Sequence, residues 1–212
     1  IKKVPWRYLQ AFTYFELIKK ILNKNKVDSS LKEIFSGNAI DIGGGYGPFV
    51  DSISLYKDHV SNNQGVNYLL DQFPVSYIAN QYLSYRHKKK LLPPIISSKS
   101  LIDVNNFSLD SQYTRVIQSN ITSELNNLNI NFFFNSNSFQ EMDPYQIELY
   151  SDFIKNNSTD SAVLACFFYD RADGNDTSKI PLNILRKHFS EVGSEILNLN
   201  GFIPGTLYLF FV

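Results

Sequence analysis

The stretch Ala39-Ile40-Asp41-Ile42-Gly43-Gly44-Gly45-Tyr46-Gly47-Pro48-Phe49 decides how this chain is read. A short apolar run carries one acid, breaks into four glycines within five positions, and gives way to an amphipathic segment that opens at a proline. The physical reading is a buried strand, a sharp turn with no side chains in the way, and a helix. Glycines at such a turn let the backbone approach a ligand closely. The helix start beside it offers unpaired N–H groups. The pattern predicts a cofactor-cradling turn in an α/β protein.

Spacing narrows the cofactor. A phosphate-gripping loop ends in Gly-Lys-Ser/Thr, which this turn lacks. The dinucleotide fingerprint is Gly-x-Gly-x-x-Gly, whereas here the glycines fall at Gly43, Gly45 and Gly47 behind Asp41. A nicotinamide or flavin enzyme is therefore a rival reading. Gly65-Val66-Asn67-Tyr68-Leu69-Leu70-Asp71 reads as a second strand ending in an acid. Its distance from the last glycine is close to the roughly 20 residues at which a Rossmann-like site meets the ribose hydroxyls. The Asp-x-Gly-x-Gly-x-Gly order resembles motif I of class I S-adenosylmethionine (SAM) methyltransferases. That resemblance implies a Rossmann-like α/β sheet, mostly parallel with an antiparallel C-terminal strand, and SAM as cofactor. It places Asp41, Gly43, Gly44, Gly45 and Gly47 around the methionine and ribose portions, and Asp71 with Gln72 at the ribose.

Lysine plus arginine balances aspartate plus glutamate, 20 against 20, and the sequence pI is near 7. Nothing in that balance seeks a polyanion, so no nucleic-acid partner is expected. The basic cluster Arg86-His87-Lys88-Lys89-Lys90 reads as a solvated loop. The single cysteine, Cys166, sits in the apolar run Val163–Phe168; it reads as a small buried hydrophobe, and the lack of an internal disulfide fits the reducing cytoplasm. No apolar run approaches the roughly 18 residues that span a bilayer, so membrane insertion is not expected. No His, Cys and carboxylate cluster has metal-ligand spacing, and no metal is expected. The sequence sets no oligomeric state.

Apolar residues at Val4, Tyr8, Phe12, Phe15, Ile18 and Leu22 recur at helical spacing and predict one sticky face. Asp28-Ser29-Ser30 offers a start for a short helix over Leu31–Phe35. Residues 1–36 are thus expected as a helical lid or flank, and residues 37–212 as the cofactor domain. Strands are expected near Ala39–Ile42, Val66–Leu70, Arg115–Gln118, Ile130–Asn135 and Ala162–Phe168, alternating with helices near Phe49–His59, Val75–Tyr85 and Pro144–Lys155. A helix near Leu182–Phe189 precedes two closing strands, Glu195–Leu199 and Thr206–Val212. Leu91–Asp110, with two prolines and several serines, is the expected mobile substrate-side loop.

The fourth strand runs into Asn135-Ser136-Asn137-Ser138-Phe139-Gln140-Glu141-Met142-Asp143. In open α/β sheets ligands sit beyond the carboxyl ends of strands, so this polar loop should face the glycine turn. Together with Asp71-Gln72-Phe73-Pro74, it resembles the sugar O-methyltransferase family of bacterial surface-polysaccharide enzymes. The resemblance implies a sugar or glycan substrate. Adenine and glutamine N-methyltransferases place Asn/Asp-Pro-Pro-Tyr/Phe after the same strand; Asn135 and Phe139 invite that comparison, but both prolines are missing.

A sugar hydroxyl benefits from a base as the new bond forms. Glu141 is the leading candidate, with a helix-start role beside Pro144 as the alternative. Asp170, beyond the fifth strand, is the second. Asn135 suits the methionine tail, and Asn137 and Ser138 suit sugar hydroxyls. Tyr169 offers a ring for stacking on a sugar, and Arg171 a partner for an anionic substituent. His59, His87 and His188 read as surface residues.

Overall fold

The computed structural model describes residues 6–28, 30–60, 65–87, 91–97, 112–170, 176–199 and 202–212. Seven strands form one sheet: β1 (Asn38–Ile42), β2 (Gly65–Asp71), β3 (Gln112–Gln118), β4 (Ile130–Ser136), β5 (Ser158–Tyr169), β6 (Ser190–Leu197) and β7 (Gly205–Phe211). Their order is β3-β2-β1-β4-β5-β7-β6. All pair in parallel except β7, which is antiparallel to both β5 and β6. This is the sheet expected from the resemblance to class I methyltransferases. The order reverses between β1 and β4, and that switch point is where an open α/β sheet leaves a crevice for a ligand.

Helices α1 (Trp6–Lys24), α2 (Leu31–Ile34), α3 (Pro48–Val60), α4 (Val75–His87), α5 (Ser138–Glu141), α6 (Pro144–Asn157) and α7 (Lys179–His188) cover both faces. Strand alternation assigns the layers. Phe132 and Phe134 of β4 pack with α1 and α3, while Phe133 between them packs with α6 and α7. Each of these rings is almost fully buried, and each contributes about 1.5–3 kcal/mol by leaving water. The α1 side is unusually aromatic: Phe49 stacks on Phe134 at 3.6 Å, and Tyr14 lies between Phe134 and Phe167.

Helix starts follow local chemistry. Ser30 caps α2 and Asp143 caps α6 through reciprocal bonds with Glu33 and Gln146. Pro144 occupies the first turn of α6, where its missing N–H costs nothing.

Several expectations change. Phe12 was placed on the buried face of α1, yet it is exposed, because the buried stripe runs through Tyr8, Ala11, Phe15, Ile18 and Leu22, a turn-by-turn path that leaves Phe12 to one side. Val4 lies outside the described residues. The sixth strand starts at Ser190 rather than near Glu195. The one-turn α5 falls in the stretch expected as loop, and a 3₁₀ turn at Ser119–Glu124 follows β3. Residues 91–97 do not hang free: Leu92 and Ile95 donate to Thr114 and Val116 at 2.8 Å, covering the outer edge of β3. The rest of the expected loop, 98–110, lies outside the described residues. Arg86 is no solvated loop residue; its Nε donates to Asp51 at 2.8 Å. Among the described residues no helix is long and apolar enough to cross a membrane.

Candidate functional site

The strand β1 ends at Ile42, and the chain turns through Gly43, Gly45 and Gly47, all at positive φ. Each glycine answers a different demand. At Gly43 a Cβ would come within 2.5 Å of Ser138 Cβ, so its bareness lets α5 close against the turn. At Gly44 a Cβ would strike the Asp41 carboxylate. At Gly47 it would meet Leu69 and Leu83 of the core. At Gly45 it would meet nothing within 4 Å. Gly45 is the place where the turn faces open space.

Asp71, at the end of β2, reaches this turn. Its Oδ2 accepts from the Gly45 amide at 2.8 Å and its Oδ1 from the Gln72 amide at 2.7 Å. Burial raises its pKa, and the two amides pull it back down. The side chain of Gln72 is exposed; its backbone, not its side chain, takes part.

Asp41 is 2% exposed, and its carboxyl is placed against Gly44 of the turn. Its pKa is raised well above the usual carboxylate value, by burial first and by the Asp71 charge second. It lines a cavity of about 360 Å³ over the switch point. Gly43, Gly44 and Gly45 form the floor of that cavity, Phe134, Ser136 and Asn137 the β4 side, and Trp6, Arg7, Gln10 and Tyr14 the α1 side. The three α1 residues Arg7, Gln10 and Tyr14 share one helix face by spacing.

The cavity walls are polar in a patterned way. Gln10 Nε2 donates to the Tyr14 hydroxyl at 2.7 Å, and that hydroxyl lies 3.3 Å from Ser136 Oγ. Burial pushes the Tyr14 phenol up to about 12, so it stays protonated. Asn137 sits at φ 70, a left-handed position asparagine tolerates. Its Oδ1 is buried with no partner. The Arg7 guanidinium lies over the Tyr46 ring at 5.1 Å, at the mouth.

The expected site residues separate into groups. Asp41, Gly43, Gly44, Gly45 and Asn137 line the cavity, and Asp71 adjoins it through Gly45. Gly47 faces the core instead. Asn135 is fully buried and committed to structure: its Nδ2 donates to the Ile42 carbonyl at 2.9 Å and to Ser138 Oγ, and its Oδ1 accepts from the Phe139 amide. It straps β1 to β4 and leaves no atom for a ligand. Ser138 is the other half of that strap, donating to Ile42 O. Glu141 is exposed on α5 and does not line the cavity, and the capping role considered for it falls to Asp143. Asp170 is also exposed and outside the cavity; its amide donates to Pro204 O at 2.9 Å. Tyr169 is clasped through its backbone by Gln140, which donates to Tyr169 O at 3.2 Å and accepts from its amide at 2.9 Å. Arg171 lies outside the described residues.

Sequence reading missed the α1 contribution. Arg7, Gln10 and Tyr14 fall outside the apolar pattern read for this helix, and the signal that could have found them was three polar-tipped residues at helical spacing on the helix that precedes the glycine strand.

No protein-family model matches the sequence, and none of the curated proteins does. Solved structures do. The chain is similar to the PH0226 protein from Pyrococcus horikoshii OT3, with a TM-score of 0.59 and 11% identity over 94% of this chain and 90% of that one. It is similar to the N-methyltransferase NodS from Bradyrhizobium japonicum WM9, with a TM-score of 0.55 and 12% identity over 97% and 93%. It is also similar to the magnesium protoporphyrin IX methyltransferase from Synechocystis PCC 6803, solved with bound SAH, with a TM-score of 0.54 and 8% identity over 100% and 90%. The chain shares its Rossmann-like fold with these structures, two of which are of methyltransferases.

Proposed function

We propose that the chain is a SAM-dependent methyltransferase that O-methylates a sugar hydroxyl, on a bacterial surface polysaccharide or its precursor. The observation that carries the cofactor assignment is at Gly45: Asp71 holds its amide while its α-carbon faces open space. The residues present fit the parts of SAM. Asp71 keeps lone pairs beyond its two backbone bonds, which suit the ribose diol. The Asp41 carboxyl lines the cavity and Asn137 Oδ1 has no donor, and the two suit the ammonium of the methionyl end. Arg7 at the mouth suits its carboxylate.

When bound, SAM supplies a methyl group on a sulfonium. The chain's own contribution is positioning, which supplies much of the acceleration of an in-line displacement. Tyr14 is fixed by Gln10 above and the aromatic cluster below, so its hydroxyl is a rigid donor beside the β4 end. For the acceptor, the ring of Trp6 and the hydroxyl of Tyr14, with the amides of Gln10 and Asn137, combine an apolar face and hydrogen-bonding edges, the two things a sugar offers. The resemblance of Asn135–Met142 to sugar O-methyltransferases supports the same reading. With Glu141 and Asp170 outside the cavity, we assign the rate to orientation rather than to either carboxylate. We place the reaction in the cytoplasm, where the lone buried Cys166 is at home.

Calorimetry with SAM and S-adenosylhomocysteine should show binding that Gly45→Arg abolishes, because the side chain fills the open space above the turn. Tight NAD binding without a response to SAM would overturn the cofactor. Mass spectrometry of surface glycans from cells with and without the intact gene tests the acceptor: a missing methyl increment supports the sugar, and identical glycans refute it.

A further inference from the structure

Outside the cavity, three helices meet at one buried carboxylate. Asp51 stands in the first turn of α3 and is 2% exposed. The Tyr8 hydroxyl of α1 and Arg86 Nε of α4 both donate to its Oδ2, the second at 2.8 Å. Because the Tyr8 proton goes to Asp51, the Tyr82 hydroxyl of α4, 3.0 Å away, donates to the Tyr8 oxygen. The Arg86 guanidinium also lies over the Tyr8 ring, at 5.6 Å. A carboxylate taken out of water keeps its charge through partners of this kind. Burial and the bond to Asp51 raise the pKa of the Tyr8 phenol, so it stays a donor.

This cluster is tied to the glycine turn at two points. The Asp51 amide donates to the Gly47 carbonyl at 3.0 Å, and the Tyr46 ring meets the Tyr82 ring edge-on at 5.4 Å. Arg7, next to Tyr8 on α1, lies over the same Tyr46 ring. The start of α1 has little else to hold it. The aromatic core grips the helix from Ala11 onward, and of residues 6–10 only Tyr8 is buried. The first turn carries no acid to complement the helix dipole, and helix ends open more readily than helix middles. Yet these are the turns that bring Arg7 and Gln10 to the cavity.

We infer that Tyr8, held by Asp51, is a positioning residue for the cofactor: it fixes the first two turns of α1, and with them Arg7 and Gln10, against the glycine turn. Tyr8, Asp51, Tyr82 and Arg86 do not line the cavity, so they act on a ligand only through the residues that do. Arg7 is the nearest of these along the chain, and it shares Tyr46 with the cluster. The inference rests on the reading of the cavity as a SAM site, but its first test uses no SAM.

Tyr8→Phe keeps the ring and removes only the hydroxyl. Trp6 is the only tryptophan in the chain, so its emission reports on the start of α1. Its ring packs on Phe202 and is 45% exposed; released in Tyr8→Phe, well below the unfolding temperature, it should be quenched by acrylamide up to about twofold more strongly. The same variant should raise the Kd for SAM about fivefold, chiefly through faster dissociation. In an Arg7→Ala background most of that loss should vanish, because the two changes remove one contact. Tyr82→Phe, which takes away only the outer hydroxyl, should move both readings the same way by less. Glu195→Gln weakens the hold on Lys20 and Lys24 at the other end of α1 and should leave both readings at parental values. Parental quenching in both phenylalanine variants overturns the inference, as does Glu195→Gln moving the readings as far as Tyr8→Phe. Stronger quenching with an unchanged Kd also overturns it, since the cluster then serves the helix alone. A parent chain that does not bind SAM overturns the cofactor reading instead, and the quenching still decides whether Tyr8 fixes α1.

Discussion

Replacing Asp71 separates its two duties. In the folded chain its carboxylate accepts from the Gly45 and Gln72 amides. Bonds to a charged acceptor are worth about 1.5–3 kcal/mol each, but the two are not equal here. The Gln72 amide bond is exposed, so water takes over at little cost. The Gly45 amide is partly buried, and leaving it unpaired costs about 1–3 kcal/mol. Against that, Asp71→Ala removes a carboxylate whose pKa burial raises, and relieves Asp41 of a neighbouring charge. The net loss of stability should be about 1–2 kcal/mol, and the chain should fold. On the proposed reading cofactor binding has no such offset: two ribose hydroxyls would lose their acceptor, which costs a further 1–3 kcal/mol or so, roughly 5- to 150-fold in Kd. Asp71→Asn is the sharper probe. One amide oxygen must serve two N–H donors, so either Gly45 or Gln72 is left facing an NH₂ group, and the variant should bind SAM between the parent and Asp71→Ala. Urea denaturation gives the first quantity and calorimetric titration with SAM the second. A stable Asp71→Ala chain that binds SAM within about twofold of the parent would refute the reasoning.

The glycine turn predicts an asymmetry. Gly43→Ala and Gly45→Ala both put a side chain at positive φ, at about 1–2 kcal/mol, but the Gly43 variant also collides with Ser138 and should lose more in urea denaturation. Gly45→Ala should unfold nearer the parent and lose SAM binding; equal losses of stability would contradict the two environments. Glu141→Gln should leave SAM affinity and turnover at parental levels, and a drop of about 100-fold in turnover would reinstate Glu141 as the base. Asp41 predicts a pH dependence of stability. Its folded pKa is raised, so above the unfolded value near 3.8 the folded state keeps a proton the unfolded chain has released. This contribution is complete below 3.8 and is lost as pH rises through the folded pKa. Asp41→Asn should therefore show a flatter stability profile and gain on the parent towards neutral pH, while parallel profiles would place the titration elsewhere.

The fold was legible because its determinants are local. The alternation of apolar runs with helical spacing around Asp41–Gly47 and Gly65–Asp71 records strand, turn and crossover directly, and the Gly201–Gly205 punctuation marks the reversal that makes β7 antiparallel. The site was half legible. Asp41, Gly45 and Asp71 stand where the spacing of strand end, turn and second strand puts them. Asn135 and Glu141 belong to a stretch whose polarity was read correctly and whose direction was not: with one turn of helix at Ser138–Glu141, Asn135 points under Gly43 and Glu141 points to solvent. A polar residue after a strand serves the ligand or the turn according to a single helical rotation, and hydropathy is blind to it. The α1 residues were hidden for the opposite reason. Tyr14 looks like core, and is core by its ring, while its hydroxyl belongs to the cavity.

The two acids of the turn stand in different surroundings. Asp71 accepts from two backbone amides, and its charge weighs on the buried Asp41. Asn137 adds a buried oxygen with no donor. The Asn137 oxygen is a local cost of about 1–3 kcal/mol, burial of the Asp41 carboxyl is another, and both residues line the cavity above the glycine turn. A fold keeps such groups where something else satisfies them. A ligand that brings a cation to Asp41 and Asn137 and a diol to Asp71 removes these costs at once, and its binding free energy then appears as folding stability. SAM should raise the unfolding midpoint of the parent chain and raise it less in Asp41→Asn, where no charge remains for the ammonium to neutralise. An equal shift in both chains would mean that the ammonium lies away from Asp41, and that the buried acid serves the fold alone.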